Sequence, residues 1–269
     1  MEFKYNKIIV HAGVFHADDV MCVALAKILN PHIEVCRVFD IPERIDNDVI
    51  VADIGDGQYD HHQVDAKLAP DGHKYAACGL MFNDFSHLLF DSKSFADDFY
   101  NKYILPIEIQ DNGGEFNPLS LAIATFNPCW DSDKDVDVAF ENAVDMMKKI
   151  VENEIASAQS KTRAKSIVQK ALNESDGFIV VLSQYCPWKE VLVPSSAHFV
   201  VFPSLRGGWN VQGVPISLND RTLKMELPNH MKDAKGCIFV HPARFMASFE
   251  DKESAISSVL SLNNDKYNQ

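Results

Sequence analysis

The chain has 269 residues, with 38 acidic against 25 basic side chains and a net charge of −13. Hydrophobic residues make up 46%, a globular composition rather than a disordered one, and the length favours two domains. The acidic balance argues against a protein that grips long duplex DNA, because many phosphate contacts call for a basic surface. It leaves small anions, short strands, or a local basic groove within an acidic body.

No apolar run reaches the roughly 20 residues that a membrane helix needs. The segment Met1–Asn6 has neither a signal peptide's apolar region nor a transit peptide's arginines. A cytosolic (cytoplasmic) protein is expected. Cys22, Cys36, Cys78, Cys129, Cys186 and Cys237 show no C-x-x-C spacing. That argues against a structural zinc and for small apolar side chains in a reducing compartment.

The chain opens as a β-α-β pattern. A strand at Lys7–His11 leads into a helix at Asp18–Asn30, whose apolar residues Val20, Val23, Ala24, Leu25, Ile28 and Leu29 keep helical spacing until Pro31 stops it. Strands follow at Ile33–Val38 and Asp48–Ala52, then helices at Tyr75–Phe90 and Phe95–Tyr103. The Gly pair after Asp111 ends a helix or forms a tight loop, holding that carboxylate in one place. Between Cys129 and Asp176 there is neither Pro nor Gly, and Val136–Asn173 has a helical pattern. One unbroken helix there is about 57 Å long; two helices, or one joining two domains, are expected. Beyond Gly177 the pattern turns to strands at Phe178–Leu182, Glu190–Val193, His198–Phe202, Trp209–Pro215 and Cys237–His241. A helix at Lys252–Leu262 and a frayed tail over 263–269 close the chain.

Two strand ends carry the chemistry. The strand Asp48–Ala52 runs into Asp53, then into a loop holding Asp56, Asp60, His61 and His62. The first strand ends in His11, followed by Gly13, His16, Asp18 and Asp19. Open α/β sheets place their ligands at such strand ends, and four histidines among several carboxylates describe a site for more than one metal. Imidazole and carboxylate ligands together suit Mn²⁺, and all-oxygen sets suit Mg²⁺. Two such ions about 3.5–4 Å apart can share a hydroxide and clamp a phosphoryl group for in-line attack. Asp18 is read as a ligand and Asp19 as a helix cap. Asp56 is read as loop, and His32, His73, His87, His198 and His230 carry no functional expectation.

These residues resemble the DHH phosphoesterase superfamily, and within it the Myg (melanocyte proliferating gene) exonuclease family. The likeness rests on His11-Ala-Gly-Val-Phe-His16-Ala-Asp18, Tyr59-Asp-His-His-Gln63 and Asp111-Asn-Gly113. It continues through Asn127-Pro-Cys-Trp130, Cys186-Pro-Trp-Lys-Glu190 and Gly236-Cys-Ile-Phe-Val-His241. The resemblance implies a two-metal phosphohydrolase. One ion would take His11, His16 and Asp53, the other Asp18, Asp53, His61 and Asp111, with Asp53 bridging. Asp60 would support the ligands from behind, and His62 would face the substrate phosphate.

The expected architecture is α/β. A mainly parallel-sheet, DHH-type catalytic domain spans 1–128, a helical connector 129–176, and a smaller mixed α+β substrate-binding domain 177–269. Lys189, Arg206, Arg221, His241 and Arg244 are the candidates for gripping phosphates, and Trp188, Trp209 and Phe245 for stacking on a base. The expected activity is that of a 3′–5′ exoribonuclease or phosphodiesterase with two Mn²⁺, or Mg²⁺ instead, acting on short single-stranded RNA. An inorganic pyrophosphatase or small-nucleotide phosphatase is the alternative, and a non-catalytic metal-containing regulatory module a second.

Overall fold

The computed structural model describes residues 2–265. The chain divides into two compact units, Met1–Gln159 and Ser160–Gln269.

The first unit is built on three parallel strands, β1 (Lys7–His11), β2 (Glu34–Val38) and β3 (Val49–Val51), in the order β2-β1-β3. Helix α1 (Ala17–Leu29) makes the crossover from β1 to β2 and buries Val20, Met21, Val23 and Ala24 against the sheet core. Because β1 and β3 are parallel neighbours, their C-terminal ends lie side by side. Ile9 pairs with Val51, and continuing that register by two residues sets His11 beside Asp53.

Four helices complete the unit before the long helix begins: α2 (Ala77–Leu89), α3 (Lys93–Phe99), α4 (Leu105–Asp111) and α5 (Pro118–Ala124). The helix expected over Phe95–Tyr103 is longer and interrupted. It starts at Lys93, capped by the Ser92 hydroxyl accepting the Phe95 N–H. It then passes through a π-helical turn, Tyr100–Ile104, and continues as α4. Pro106 is tolerated because it falls in the first turn of α4, where its missing N–H costs nothing. Asp111 is the last residue of α4, and Gly113 at φ +83° closes the helix with its N–H on the Gln110 carbonyl.

Val136–Asn173 forms one unbroken helix, α6. Its Phe140, Ala143, Val144, Met147 and Val151 belong to the core of the first unit, and Ala164 and Val168 to that of the second.

The second unit has a five-stranded sheet of β4 (Ile179–Val181), β5 (Phe199–Pro203), β6 (Trp209–Gly213), β7 (Cys237–Val240) and β8 (Met246–Phe249). The order is β4-β5-β6-β8-β7, with β4 and β5 parallel and the other pairs antiparallel. Alternation along the strands sends Phe199, Val201, Val211, Ala247 and Phe249 against the terminal helix α8 (Lys252–Asp265). Residues 266–269 of the expected frayed tail lie outside the described residues.

The strand expected at Glu190–Val193 is instead a short helix, α7 (Lys189–Leu192). Its Leu192 is buried beside Trp188, while Glu190 pairs with Lys165 of α6 at 2.7 Å. A four-residue apolar run has no periodicity that separates strand from helix, so tertiary contacts decide it. Strand β8, fourth in the sheet, is only four residues long, and sequence reading passes over it. All six cysteines are free thiols. No helix among the described residues is long and apolar enough to cross a membrane.

Candidate metal centre

Asp53 is the centre of the arrangement. It is buried and its φ is +58°, a left-handed backbone that Asp tolerates better than most residues but at a cost of order 1 kcal/mol or more. The loop that follows holds it there, since the Asp53 N–H donates to the Tyr59 carbonyl at 2.9 Å. Its two carboxylate oxygens face opposite ways. Oδ2 lies 3.4 Å from His11 Nε2, and Oδ1 lies 3.3 Å from His61 Nε2.

Around these oxygens three groups of side chains are close enough to share an ion: His11, Asp19 and Asp53; Asp53, His61 and His62; and Asp18, His61 and Asp111. Asp111 Oδ2 lies 3.0 Å from His61 Nε2, and Asp18 Oδ2 lies 3.7 Å from it. Asp19, expected only to cap a helix, caps it and also stands beside His11. Its Oδ1 accepts the His16 N–H at 2.8 Å, while its Oδ2 sits 3.4 Å from His11 Nε2. His16 is exposed and falls outside the three groups, its ring centroid 5.8 Å from that of His11.

Asp60 organises the Asp-His-His loop. Its Oδ2 accepts the Asp56 N–H at 2.7 Å, and its Oδ1 accepts the N–H groups of His61 and His62 at 2.7 and 3.2 Å. The same Oδ1 lies 2.7 Å from Nδ1 of His62, whose side chain is 62% exposed. Asp18 caps a helix too, though not its own. Both its oxygens accept N–H groups at the start of α2, from Ala77 at 2.9 Å and Cys78 at 2.7 Å.

Three further residues position the ligands. The Asn127 side chain brackets the backbone of Phe15, accepting its N–H and donating to its carbonyl, which fixes the loop between His11 and His16. Arg37 donates to the Gly13 carbonyl at 2.7 Å and lies over the Phe140 ring. Glu108, fully buried on α4 one turn before Asp111, accepts the Ala76 N–H and the Tyr100 hydroxyl and meets His73 Nε2 at 3.2 Å. Asn127 stands inside a motif visible in sequence. Arg37 and Glu108 lie in strand and helix patterns that give no signal.

The electrostatics show charge crowded beyond what these side chains resolve among themselves. Burial, with the charges of Asp53 and Asp111, pushes Asp18 well above the usual carboxylate range. Burial likewise takes Asp19 to about 7. Burial would also raise Asp53, but the nearby imidazoles of His11 and His61 outweigh it and hold Asp53 at about 2. The Asp53 carboxylate raises His11 to about 9 against the opposing effect of burial. For His61, burial alone would lower the value, and Asp111 and Asp53 overturn it to about 10. Four buried atoms, Asp19 Oδ2, Asp53 Oδ1 and both ring nitrogens of His61, have no hydrogen-bond partner. Buried polar atoms without partners are costly, and three of these, Asp19 Oδ2 beside His11 and Asp53 Oδ1 beside His61 Nε2, stand within the groups that a cation would satisfy. The donors are imidazole and carboxylate only. Burial pushes the nearby Cys22 and Cys78 thiols up, and neither belongs to the three groups.

The five expected phosphate-gripping residues are in the second unit, each in a different setting. Lys189 begins α7 and is exposed, as are Arg206, in the turn between β5 and β6, and Arg221. His241 accepts the Ala243 N–H through Nδ1 at 3.1 Å, and Arg244, at φ +49°, is paired with Glu226. Trp188 is buried in the core, Trp209 is half-buried below the Lys252 ammonium, and the Phe245 ring lies tilted against that of His241.

The fold and this cluster define a mixed α/β protein with carboxylate and imidazole groups able to hold metal ions at the ends of two parallel strands. The model of the MYG1 exonuclease family, described as an uncharacterised protein family (UPF0160), matches residues 7–259, and the chain belongs to that family. It is similar to the MYG1 exonuclease of Homo sapiens, 28% identical over 92% of this chain and 83% of that protein. It is also similar to the MYG1 protein of Saccharomyces cerevisiae, 26% identical over 93% of each, and to that of Dictyostelium discoideum, 24% identical over 93% of this chain and 94% of the relative. No solved structure matches the chain significantly.

Proposed function

We propose that this protein is a metal-dependent phosphodiesterase of the DHH type, an exonuclease that removes nucleotides from the 3′ end of short single-stranded RNA in the cytoplasm. The observation that carries the reading is the Asp53 carboxylate, one oxygen of which lies beside His11, in a group with Asp19, while the other lies beside His61. Relatives named exonucleases supply the substrate class.

His11, Asp19 and Asp53 would hold one divalent cation, with His16 beside them on the exposed side. Asp18, His61, Asp111 and Asp53 would hold the second. Two such cations, Mn²⁺ from the mixed donor set, would make water more acidic at this site and offset the negative charge of the phosphate. The remaining work belongs to the chain. The His11 Nδ1–H donates to the Ala12 carbonyl at 3.1 Å, turning Nε2 toward Asp53. Asp60 fixes the Asp-His-His backbone and keeps His62 oriented through Nδ1, leaving Nε2 for a phosphate oxygen. Lys189, Arg206, Arg221, His241 and Arg244 are proposed to add phosphate contacts from the second unit.

The net charge of −13 shapes substrate choice. A long duplex meets an overall repulsive field, whereas a short strand needs only a few local contacts, so the salt dependence should be shallow. The test is a ladder of labelled oligoribonucleotides with Mn²⁺ or EDTA, run beside duplex DNA and pyrophosphate. Metal-dependent shortening of single strands by one nucleotide at a time is expected. Fast pyrophosphate hydrolysis with intact oligonucleotides would replace this reading with a pyrophosphatase.

A further inference from the structure

The sheet of the second unit is covered unequally on its two faces. One face packs against Ala255 and Val259 of α8. On the other, Val180, Val200 and Phe202 of β4 and β5 meet Val168, Trp188 and Leu192. The continuation of that face across β6, β8 and β7 is open and floors a cavity of about 680 Å³.

The strand register lays out what the open face presents. Phe202, Asn210, Ser248 and Phe239 form one row across four strands, and Gln212 and Met246 stand in the next. Ser248 Oγ donates to Asn210 Oδ1 at 2.8 Å. Phe239 is 45% exposed, and Tyr185, whose ring lies 5.4 Å from that of Phe202, is 54% exposed. Arg206 stands at the rim. No acidic side chain lines the cavity, in a chain with 38 of them.

That composition selects among occupants. A face built to be covered by another apolar surface has no use for Asn210, Gln212 and Ser248 between its rings, since each would have to be buried with its polar atoms paired. Exposed rings interleaved with amides, one cation and no carboxylate suit a ligand that is flat, edged with donors and acceptors, and negatively charged. We propose that this face is a stacking platform for the unpaired bases of a single nucleic-acid strand. Tyr185 and Phe239 take the base faces, Asn210 and Gln212 the base edges, and Arg206 a phosphate. Stacking tolerates every base, and an amide can both donate and accept, so the platform suits an enzyme that must pass any sequence. The proposal rests on the exonuclease reading for its ligand, so binding and turnover are measured separately.

The experiment uses the full chain in EDTA, with fluorescein-labelled oligoadenylate and oligodeoxyadenylate of about twelve nucleotides, read by anisotropy. Phe239→Ala and Tyr185→Ala should each weaken binding about tenfold, and Phe239→Trp should bind like the parent. Both positions carry exposed rings, so the circular dichroism should not move. Mn²⁺ affinity, read by titration calorimetry without a strand present, should stay at the parent value, since the proposed ligands lie in the first unit. Parent affinity in both alanine variants overturns the platform while oligonucleotide degradation by the parent keeps the exonuclease reading. Tight, Phe239-dependent binding in a protein that degrades no oligonucleotide keeps the platform and removes that reading. Absence of strand binding together with self-association abolished by Phe239→Asp overturns the proposal and gives the face to a second copy of the chain.

Discussion

Asp60→Ala tests whether one buried carboxylate holds the whole Asp-His-His loop. Asp60 is 2% exposed and accepts three backbone N–H groups, from Asp56, His61 and His62. A hydrogen bond to a charged acceptor contributes about 1.5–3 kcal/mol, and a buried donor left without one costs about 1–3 kcal/mol. Asp56 and His62 are exposed residues and can turn to water, whereas His61 is buried. Taking the full cost for His61 and about 0.5 kcal/mol for each of the others gives about 2–4 kcal/mol. In a unit of this size each kcal/mol moves the melting temperature by roughly 2–4 °C, so a fall of about 10 °C is expected. Asp60→Asn keeps an oxygen for His61 and should lose less than half as much. Because His61 loses its placement, Mn²⁺ affinity should drop about 10- to 100-fold in the alanine variant. Scanning calorimetry in EDTA gives the first quantity and titration calorimetry with Mn²⁺ the second. Parent values for both would refute the role given to Asp60.

Asp53→Ala should lose bound Mn²⁺ and turnover with an unchanged circular dichroism spectrum, and metal analysis showing full occupancy would remove Asp53 as the bridge. His11→Ala should lower Mn²⁺ affinity more than His16→Ala, because His11 lies within a group that can hold an ion and His16 lies outside all three; equal losses would show that His16 is a full ligand. Gly79→Ala should destabilise the first unit by about 3 kcal/mol in urea titration. Its Cβ would stand 1.7 Å from Glu108 Oε1, a buried atom bonded to the start of α2, and a parent-like midpoint would show that α4 can give way. The thermal stability of the parent should fall as pH rises above 6.5. Burial would lower His73, but its bonds to Asp71 and Glu108 raise it above 6.5, so its contribution is complete below 6.5 and lost as pH rises through the folded value. Burial raises Glu108 and gives the same sign, while Asp71 is lowered and titrates below this window. His73→Gln should flatten the slope, and an unchanged slope would assign it elsewhere.

Local signals in the sequence carried the first sheet and the chemistry at its edge. Strand β1 and helix α1 were legible because an apolar run ended in a ligand-type residue and was followed by a helical stripe closed by Pro31. The same logic marked Asp53, and Asn-Gly-Gly after Asp111 marked a helix end. Where the signal was short, it failed. Four residues at Glu190–Val193 fit strand or helix equally well, and the pairing of Glu190 with Lys165 belongs to a helix packed on a distant segment. Strand β8 was invisible because its two neighbours in the sheet, β6 and β7, define it.

By itself, then, the sequence determined which side-chain types stand at which strand ends, since periodicity and turn chemistry are local properties of the chain. Only the tertiary structure decided their division of labour. Two parallel strands in register set His11 beside Asp53. The first turn of α1 then brought Asp19 rather than His16 into reach of His11, because Asp19 is buried within that turn while His16, the extended residue that caps the helix, is exposed. Asp18 was free to cap α2 because that helix, some sixty residues later in the chain, begins against it. Glu108 is an unremarkable residue in a helical stretch until the fold buries it under Ala76, His73 and Tyr100. Such contacts depend on the distance between segments, which a pattern along the chain does not encode.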